Sequence, residues 1–341
     1  MTTLAEMALA HALRDRLPAL LGGAVDLTAL APLHGGVGQE NFRLEVDIDG
    51  GPLAGHHRFA LRGDALQPTP NVVSRAREAL VIEAVHGVGV RTPRVHGVLR
   101  DLFGVGLDAY VADFAPGISL GPRIVRDPAF EVARGRLPLQ LAECLATLHA
   151  MTPVTHPTLP IDRPPFERHL DPVAAALRWF EVTLDALPAP RPATEYALRW
   201  LRHHPPASRE ITLVHGDFRT GNFLATEQGL SAVLDWENAH WGNPLEDLAW
   251  LTLRDWRFGQ LDRPVGGFGA LEPFLAAYVD LSGRPIRPAD LHWWSVAGNL
   301  RWALAAVHLG QGTRTEIEHM ATPRRAPEME FEALRLIEVG P

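Results

Sequence analysis

The sequence predicts an α+β fold with two lobes: a small antiparallel-sheet lobe with one key helix, and a larger, mostly α-helical lobe. Three observations support this. The chain has 341 residues, which is more than one hydrophobic core usually holds. Apolar and polar residues alternate between Val25 and Arg62, as in a half-buried sheet. After Pro116, strand-like stretches become rare and helical spacing dominates.

The N-terminal lobe is predicted over residues 1–111. A helix comes first and ends at Gly22, because glycine commonly terminates helices. Helical spacing returns once in this lobe, at 71–87. A connector or hinge is predicted at 112–116, and the helical lobe at 117–341. The predicted strands occupy 25–36, 41–48, 57–62, 91–99 and 107–114.

Composition excludes several classes of protein. Apolar residues make up 46% and charged residues 21%, which indicates a globular chain. The net charge of -8 argues against nucleic acid or an anionic membrane as a partner. The sequence shows neither a secretory signal pattern nor an apolar run of membrane-spanning length, so we expect a cytoplasmic protein. Cys144 is the single cysteine, which excludes an intrachain disulfide.

All 32 basic residues are arginine. The lack of lysine excludes a Walker A phosphate loop, a lysine Schiff base with pyridoxal phosphate and a lysine general base.

One segment, HGDFRTGN, concentrates polar chemistry between two apolar runs. Asp217 lies five residues before Asn222, and Asp235 ends the next apolar run. Carboxylate and amide oxygens suit a hard cation such as magnesium. Phosphoryl transfer needs such a metal and a further carboxylate that accepts the proton of the attacking hydroxyl. Buried Asp and Asn often only cap turns, so the loop alone leaves both interpretations open, and Asp235 with the two-lobed layout favours the chemical one.

Three segments resemble those of a known superfamily. HGDFRTGN, VLDWENAHWGNPLEDLAW and the late GNLRWA (Gly298 to Ala303) are similar to segments of the aminoglycoside phosphotransferase and choline kinase superfamily. They are most similar to the branch that includes the kinase-like domain fused to some acyl-CoA dehydrogenases. The resemblance covers nearly the whole chain. It implies a protein-kinase-like fold, ATP and Mg²⁺ as cofactors, and a small molecule with a hydroxyl group as substrate.

The resemblance also implies roles for individual residues. Asp217 would be the catalytic base, and Asn222 and Asp235 would ligate magnesium. His215 would brace the loop, and Asp247 would hold it by accepting backbone hydrogens.

Two further residues, Arg219 and Glu237, are expected near the site. For each, a substrate or phosphate contact and a structural salt bridge stay equally open.

The nucleotide would lie against the small lobe. Gly35, Gly36 and Gly38 occupy the place of the glycine-rich loop, where glycine lets backbone amides approach phosphate, although the pattern is not G-x-G-x-x-G. Arg62 stands where related kinases carry lysine, with Glu78 as the expected partner and Glu83 as a less favoured one.

The connector is predicted to meet the base of the nucleotide. Backbone groups around Asp113 and Ala115 are expected to receive the edge of adenine.

The leading hypothesis is therefore an ATP-dependent, Mg²⁺-requiring O-phosphotransferase. The alternative is a catalytically silent nucleotide-binding pseudokinase or scaffold, which the presence of Asp217, Asn222 and Asp235 disfavours. A metal hydrolase built on the paired histidines is weaker, because neighbouring side chains on regular structure face different ways. The sequence leaves the acceptor open among aminoglycosides, hydroxyacyl thioesters and other alcohols, and it gives neither an oligomeric state nor a choice between ATP and GTP.

Overall fold

A computed structural model describes residues 4–33, 40–64, 73–162, 165–310 and 324–341. The chain divides into two compact units. The N-terminal unit consists of Met1–Pro116 together with Ser231–Asn238, and the C-terminal unit consists of Gly117–Leu230 with Ala239–Pro341. The lobe boundaries drawn from the sequence stay a prediction.

The N-terminal unit is built on a five-stranded antiparallel sheet with the order β1-β2-β3-β5-β4. Helix α1 spans Leu4–Leu21 and α2 spans Arg75–Gly87. The predicted sheet and the interposed helix are thus confirmed. The strands are β1 (Ala24–Pro32), β2 (Asn41–Asp49), β3 (Gly55–Gly63), β4 (Val95–Gly104) and β5 (Leu107–Asp113).

Alternation along the strands gives this unit its core. Leu44 and Val46 of β2 point to the same face and are fully buried, as expected for residues two apart on a strand. Leu13 and Leu17 of α1 lie in the same apolar cluster, because residues four apart share one face of a helix. The register of the sheet also places Arg62 of β3 directly opposite Tyr110 of β5.

The segment Ser231–Asn238 joins this unit from far along the chain. Val233 donates its N–H to the carbonyl of Arg91 at 2.7 Å, and Trp236 donates its N–H to Oε1 of Glu78 at 3.0 Å. The segment ends in a 3₁₀ turn, Trp236–Asn238. Asp235 and Glu237 therefore belong to the same unit as β3 and α2.

The C-terminal unit is mostly helical. Strands β6 (Thr212–Val214) and β9 (His240–Gly242) pair antiparallel. Two more short strands are β7 (Phe223–Thr226) and β8 (Gly229–Val233), the latter divided by the unit boundary. The helices are α3 (Gly121–Arg126), α4 (Glu131–His149), α5 (Pro172–Asp185), α6 (Pro192–His203), α7 (Leu245–Leu251), α8 (Leu271–Ser282), α9 (Pro288–Leu309) and α10 (Arg325–Val339).

Large aromatic side chains fill the core of the C-terminal unit. Trp241, Trp293 and Tyr278 are fully buried, and the indole N–H of Trp293 is donated to the carbonyl of Leu201 at 2.9 Å. Cys144 is buried in α4. Within the described ranges, every helix is too short or too polar to cross a bilayer.

Candidate active site

The C-terminal unit carries the loop of the HGDFRTGN segment. Strand β6 ends at Val214, and the loop runs from His215 to Asn222, where β7 follows. The loop is half-buried, since the side chain of Asp217 is 16% exposed and that of Arg219 is 26% exposed. The polar groups are thus partly withdrawn from water but reachable from it.

Asp217 accepts hydrogen bonds on both carboxylate oxygens. Trp250 donates its indole N–H to Oδ1 at 2.7 Å, and Arg219 donates its Nε–H to the same oxygen at 3.1 Å. Asn222 donates its Nδ2–H to Oδ2 at 2.6 Å. Hydrogen bonds to the charged form stabilise a carboxylate and fix its orientation.

Asn222 is oriented by the same loop. Its Nδ2 also donates to the backbone carbonyl of Asp217 at 2.9 Å, and its own N–H is donated to the carbonyl of Arg219 at 2.9 Å. Because both amide hydrogens are directed back into the loop, the amide oxygen is the group that can serve as a ligand.

A buried aspartate holds the start of the loop. Asp247 accepts the N–H of His215 at 2.7 Å and the N–H of Gly216 at 2.9 Å. His149 lies with Nε2 3.3 Å from Oδ2 of Asp247, while its Nδ1 lies 2.8 Å from the hydroxyl of Tyr278. Burial opposes the charge of Asp247, but the hydrogen bonds from His149 and the His215 backbone outweigh it and lower its pKa.

His215 points inward rather than outward. It is fully buried, and its Nδ1 accepts the backbone N–H of Asp217 at 3.2 Å. The imidazole therefore supports the backbone that carries Asp217.

The N-terminal unit carries a second set of charged residues. Arg62 donates from Nη2 to Oδ1 of Asp235 at 2.9 Å, and its Nη1 lies 3.9 Å from Oε1 of Glu78. Asp235 has φ +67°, in the left-handed region that aspartate enters at an energetic cost. The ion pair with Arg62 is one contact that holds the carboxylate in this conformation.

A second arginine completes this set. Arg75, at the start of α2, is buried and donates from Nη1 to Glu78, from Nη2 to Glu237 at 2.8 Å and from Nε to the carbonyl of Gly63 at 3.2 Å. Glu78 is fully buried and sits between the two arginines. Burial of Glu237, followed by the nearby charge of Asp235, raises the pKa of the Glu237 carboxyl well above its usual range.

The other residues that the sequence predicted for the nucleotide side do not contact Arg62, Arg75 or Glu78 in the contacts described above. Asp113 ends β5, donates its N–H to the carbonyl of Arg94 at 2.9 Å and pairs with His96 at 2.7 Å. Ala115 follows the end of β5 by two residues and is partly buried. Glu83 is exposed, away from the charged set. Gly35, Gly36 and Gly38 lie outside the described residues.

Asn222 in the C-terminal unit and Asp235 in the N-terminal unit each carry oxygen atoms of the kind that a hard cation binds. Magnesium prefers oxygen ligands and retains several waters, so two protein oxygens suffice alongside phosphate oxygens. The amide oxygen of Asn222 and the carboxylate of Asp235 are of this kind. Among the residues that the structure describes, no three His, Cys, Asp or Glu side chains form a self-sufficient metal cluster.

Sequence reasoning missed two groups of this site. Arg75 lies three residues before Glu78, a spacing at which side chains on a helix meet, so its ion pair was open to prediction. Trp250 lies in the DLAW segment, but an indole in an apolar helix is usually core, and its contact with Asp217 spans 33 positions. No local signal marks that contact.

A large cavity opens in the C-terminal unit. It has a volume of about 870 Å³, and its wall includes Trp256, Phe258 and Met329. Three arginines and two carboxylates also line it: Arg126, Arg254, Arg325, Asp255 and Glu328. The guanidinium of Arg219 lies 4.5 Å from the ring centre of Trp256, so the same indole contacts the loop and bounds the cavity.

An antiparallel sheet with an inserted helix, followed in the chain by a mostly helical unit, is the architecture of the kinase-like fold. The chain matches the phosphotransferase enzyme family over residues 29–279 and belongs to that family.

Two curated relatives match about half of this chain. Acyl-CoA dehydrogenase family member 10 of Mus musculus is 28% identical over 191 residues, covering 54% of this chain and 17% of that protein. Acyl-CoA dehydrogenase family member 11 of Gallus gallus is 33% identical over 189 residues, covering 54% of this chain and 23% of that protein. The chain thus matches about a fifth of the length of these relatives.

Solved structures share the fold over nearly the whole chain. A Ralstonia eutropha protein assigned to the aminoglycoside phosphotransferases has a TM-score of 0.71 at 20% identity, covering 97% of this chain and 98% of its own. A choline/ethanolamine kinase family protein of Mesorhizobium loti has a TM-score of 0.59 at 20% identity, with coverage of 98% and 95%. The GDP and kanamycin complex of APH(2'')-IIIa has a TM-score of 0.61 at 15% identity, with coverage of 95% and 97%.

Proposed function

We propose that this chain is an ATP- and Mg²⁺-dependent kinase that transfers a phosphoryl group to a hydroxyl group of a small molecule. The observation that carries the proposal is the bonding of Asp217, whose carboxylate is held by three side-chain donors on a loop that Asp247 fixes. A carboxylate that is half-buried, oriented and able to accept a proton is what the attacking hydroxyl requires.

In the proposed reaction, Asp217 accepts the proton of the acceptor hydroxyl as its oxygen attacks the terminal phosphorus of ATP. The bond from that phosphorus to the bridging oxygen of ADP breaks, and ADP leaves with the electron pair. Asn222 and Asp235 are the proposed ligands of Mg²⁺, which when bound neutralises charge on the phosphates. His215 and Asp247 keep the loop in place throughout.

On the nucleotide side, Arg62 is proposed to contact phosphate in place of lysine. Its guanidinium has donors for a carboxylate and for phosphate oxygens at once, which an ammonium group provides less well. Gly35, Gly36 and Gly38 would approach the phosphates with their backbone amides, and Ala115 would meet the adenine edge. The solved relative that carries GDP supports the use of a nucleotide by this fold.

The acceptor is proposed to bind in the cavity beside Trp256. Three arginines against two carboxylates give its wall a positive balance, which disfavours a polycation such as the kanamycin that the solved relative binds. A neutral or anionic alcohol with an apolar part suits the aromatic side of the wall.

The proposal is tested by ADP release with Mg²⁺-ATP over a panel of acceptors: kanamycin, choline, homoserine and hydroxyacyl-CoA compounds. We expect turnover with a neutral or anionic acceptor, its loss on chelation of the metal, and a phosphorylated product by mass spectrometry. An Arg254→Glu variant should raise KM for an anionic acceptor while KM for ATP stays unchanged. A thermal shift with Mg²⁺-ATP but no ADP release or product would support the silent pseudokinase instead.

A further inference from the structure

The carboxylate of Asp217 is asymmetric in its bonding. Each carboxylate oxygen has about two acceptor sites. On Oδ1 both are taken, by the indole N–H of Trp250 at 2.7 Å and the Nε–H of Arg219 at 3.1 Å. On Oδ2 one is taken, by Asn222 at 2.6 Å. Counting the donors among the described residues, one acceptor site on Oδ2 is left for a substrate hydroxyl.

We infer that Trp250 and Arg219 are positioning residues that lock Oδ1 of Asp217, and that Oδ2 is the atom that receives the substrate proton. The inference rests on the proposed function and specifies how its base is oriented. Without the two donors, the carboxylate could rotate about its Cβ–Cγ bond and present either oxygen. A reacting group that rotates away from its acceptor loses the advantage of prior orientation.

Trp250 is itself held rigidly. It lies in α7 with 4% of its surface exposed. The guanidinium of Arg301 lies 4.6 Å from its ring centre, and Arg301 donates from Nη1 to Oε1 of Glu246 at 3.0 Å. A guanidinium over an indole face is an attractive cation-π contact. The indole therefore has a cation on its face and the base at its N–H.

Arg219 has a matching support. Its guanidinium stacks on the ring of Trp256 at 4.5 Å, and Trp256 lies against Trp250 with ring centres 5.7 Å apart. Trp250 and Arg219 thus contact Oδ1 directly, and Arg301 and Trp256 pack against those two side chains. The late GNLRWA segment supplies Arg301 to this arrangement.

The test compares two conservative variants. Trp250→Phe removes one indole N–H and keeps an aromatic ring in the core. Trp293→Phe is the matched control, because it removes another buried indole hydrogen bond, the one to the carbonyl of Leu201. That bond does not involve Asp217 or any of its hydrogen-bond donors. ADP release with Mg²⁺-ATP is measured with the acceptor panel and with water alone as acceptor, alongside the melting temperature.

We expect Trp250→Phe to lower kcat about tenfold to a hundredfold, with KM for ATP within about twofold of the wild type. Trp293→Phe should leave kcat unchanged and should lower the melting temperature at least as much as Trp250→Phe does. Arg219→Lys, which keeps the charge but loses Nε, should also lower kcat. Equal kcat losses in Trp250→Phe and Trp293→Phe, or none in Trp250→Phe, would overturn the inference while the proposed function stands.

A second measurement does not depend on turnover. In a ¹⁵N spectrum of the indole groups, the Trp250 resonance is assigned from its loss in Trp250→Phe. Asp217→Asn should shift that resonance, whereas Asp255→Asn should shift the resonance of Trp302, which donates to Asp255 at 2.7 Å. A Trp250 resonance that does not move in Asp217→Asn overturns the inference. A wild type that binds Mg²⁺-ATP but releases no ADP overturns the proposed function and, with it, the role given to Oδ2.

Discussion

Nη2 of Arg62 lies 2.9 Å from Oδ1 of Asp235. The arginine that stands in the usual place of lysine therefore forms its shorter ion pair with the proposed metal ligand. Its contact with Glu78 is longer, at 3.9 Å. Burial of the guanidinium opposes its charge, but the acidic groups around it outweigh this, and its pKa is raised. The arginine therefore stays charged and connects the β3 strand to the segment that carries Asp235.

Replacing Arg62 tests that ion pair. Arg62→Met leaves Asp235 and the fully buried Glu78 short of positive charge, and it should lower the free energy of unfolding by about 3 kcal/mol. Arg62→Lys keeps the charge but not the forked geometry, and should cost about 1 kcal/mol. Urea unfolding followed by circular dichroism gives both values. Equal stability of the wild type and Arg62→Met would refute the pairing.

Arg75 should contribute more to the free energy of unfolding than Arg77 on the same helix. Arg75→Met removes the partner of Glu78 and Glu237 in a buried setting, so we expect a loss of about 3 to 5 kcal/mol in the free energy of unfolding. Arg77→Met is the control, because Arg77 is exposed on α2 and should change stability by less than about 0.5 kcal/mol. A similar effect of the two substitutions would show that the Arg75 contacts contribute nothing.

Gly221 should resist a side chain. Its φ is +116°, and a Cβ there would lie 2.6 Å from Nη1 of Arg219. Gly221→Ala is therefore expected to cost about 1 to 2 kcal/mol in stability and to displace Arg219 from Asp217. Gly135→Ala, in the exposed interior of α4 with open space at the Cβ position, should instead stabilise by about 0.5 to 1 kcal/mol. Thermal unfolding of both variants distinguishes these outcomes, and a Gly221→Ala variant as stable as the wild type would exclude strain at this position.

Asp247 should contribute to the free energy of unfolding at neutral pH, and this contribution should be lost in acid. Its pKa in the folded protein is lowered, so its contribution is complete above the pKa of an unfolded aspartate, about 4, and is lost as pH falls through the folded value. Asp247→Asn should cost about 2 to 3 kcal/mol near neutral pH, and the difference from the wild type should shrink below about pH 4. Urea unfolding from pH 7 to pH 3 measures this. The exposed Asp280→Asn is the control, and a difference that does not depend on pH would contradict the role of the charge.

The sequence predicted those parts of the fold and site that rest on short-range patterns. Alternation predicted the strands between Val25 and Arg62, and the spacing of Asp217 and Asn222 between two apolar runs predicted that both lie on one loop. Contacts between residues far apart in the sequence could be predicted only from the family resemblance, as for the contact of Asp247 with the His215 backbone. Trp250 was missed because apolar spacing in a helix predicts burial but not where an indole N–H points.

ADP release by Asp217→Asn, compared with the wild type and with Asp280→Asn, directly tests whether Asp217 is the catalytic base. We predict a fall in kcat of about a hundredfold to ten-thousandfold in Asp217→Asn, with the dissociation constant for Mg²⁺-ATP close to that of the wild type. Asp280→Asn should behave as the wild type. Turnover by Asp217→Asn within about threefold of the wild type would contradict the assignment of Asp217 as the base.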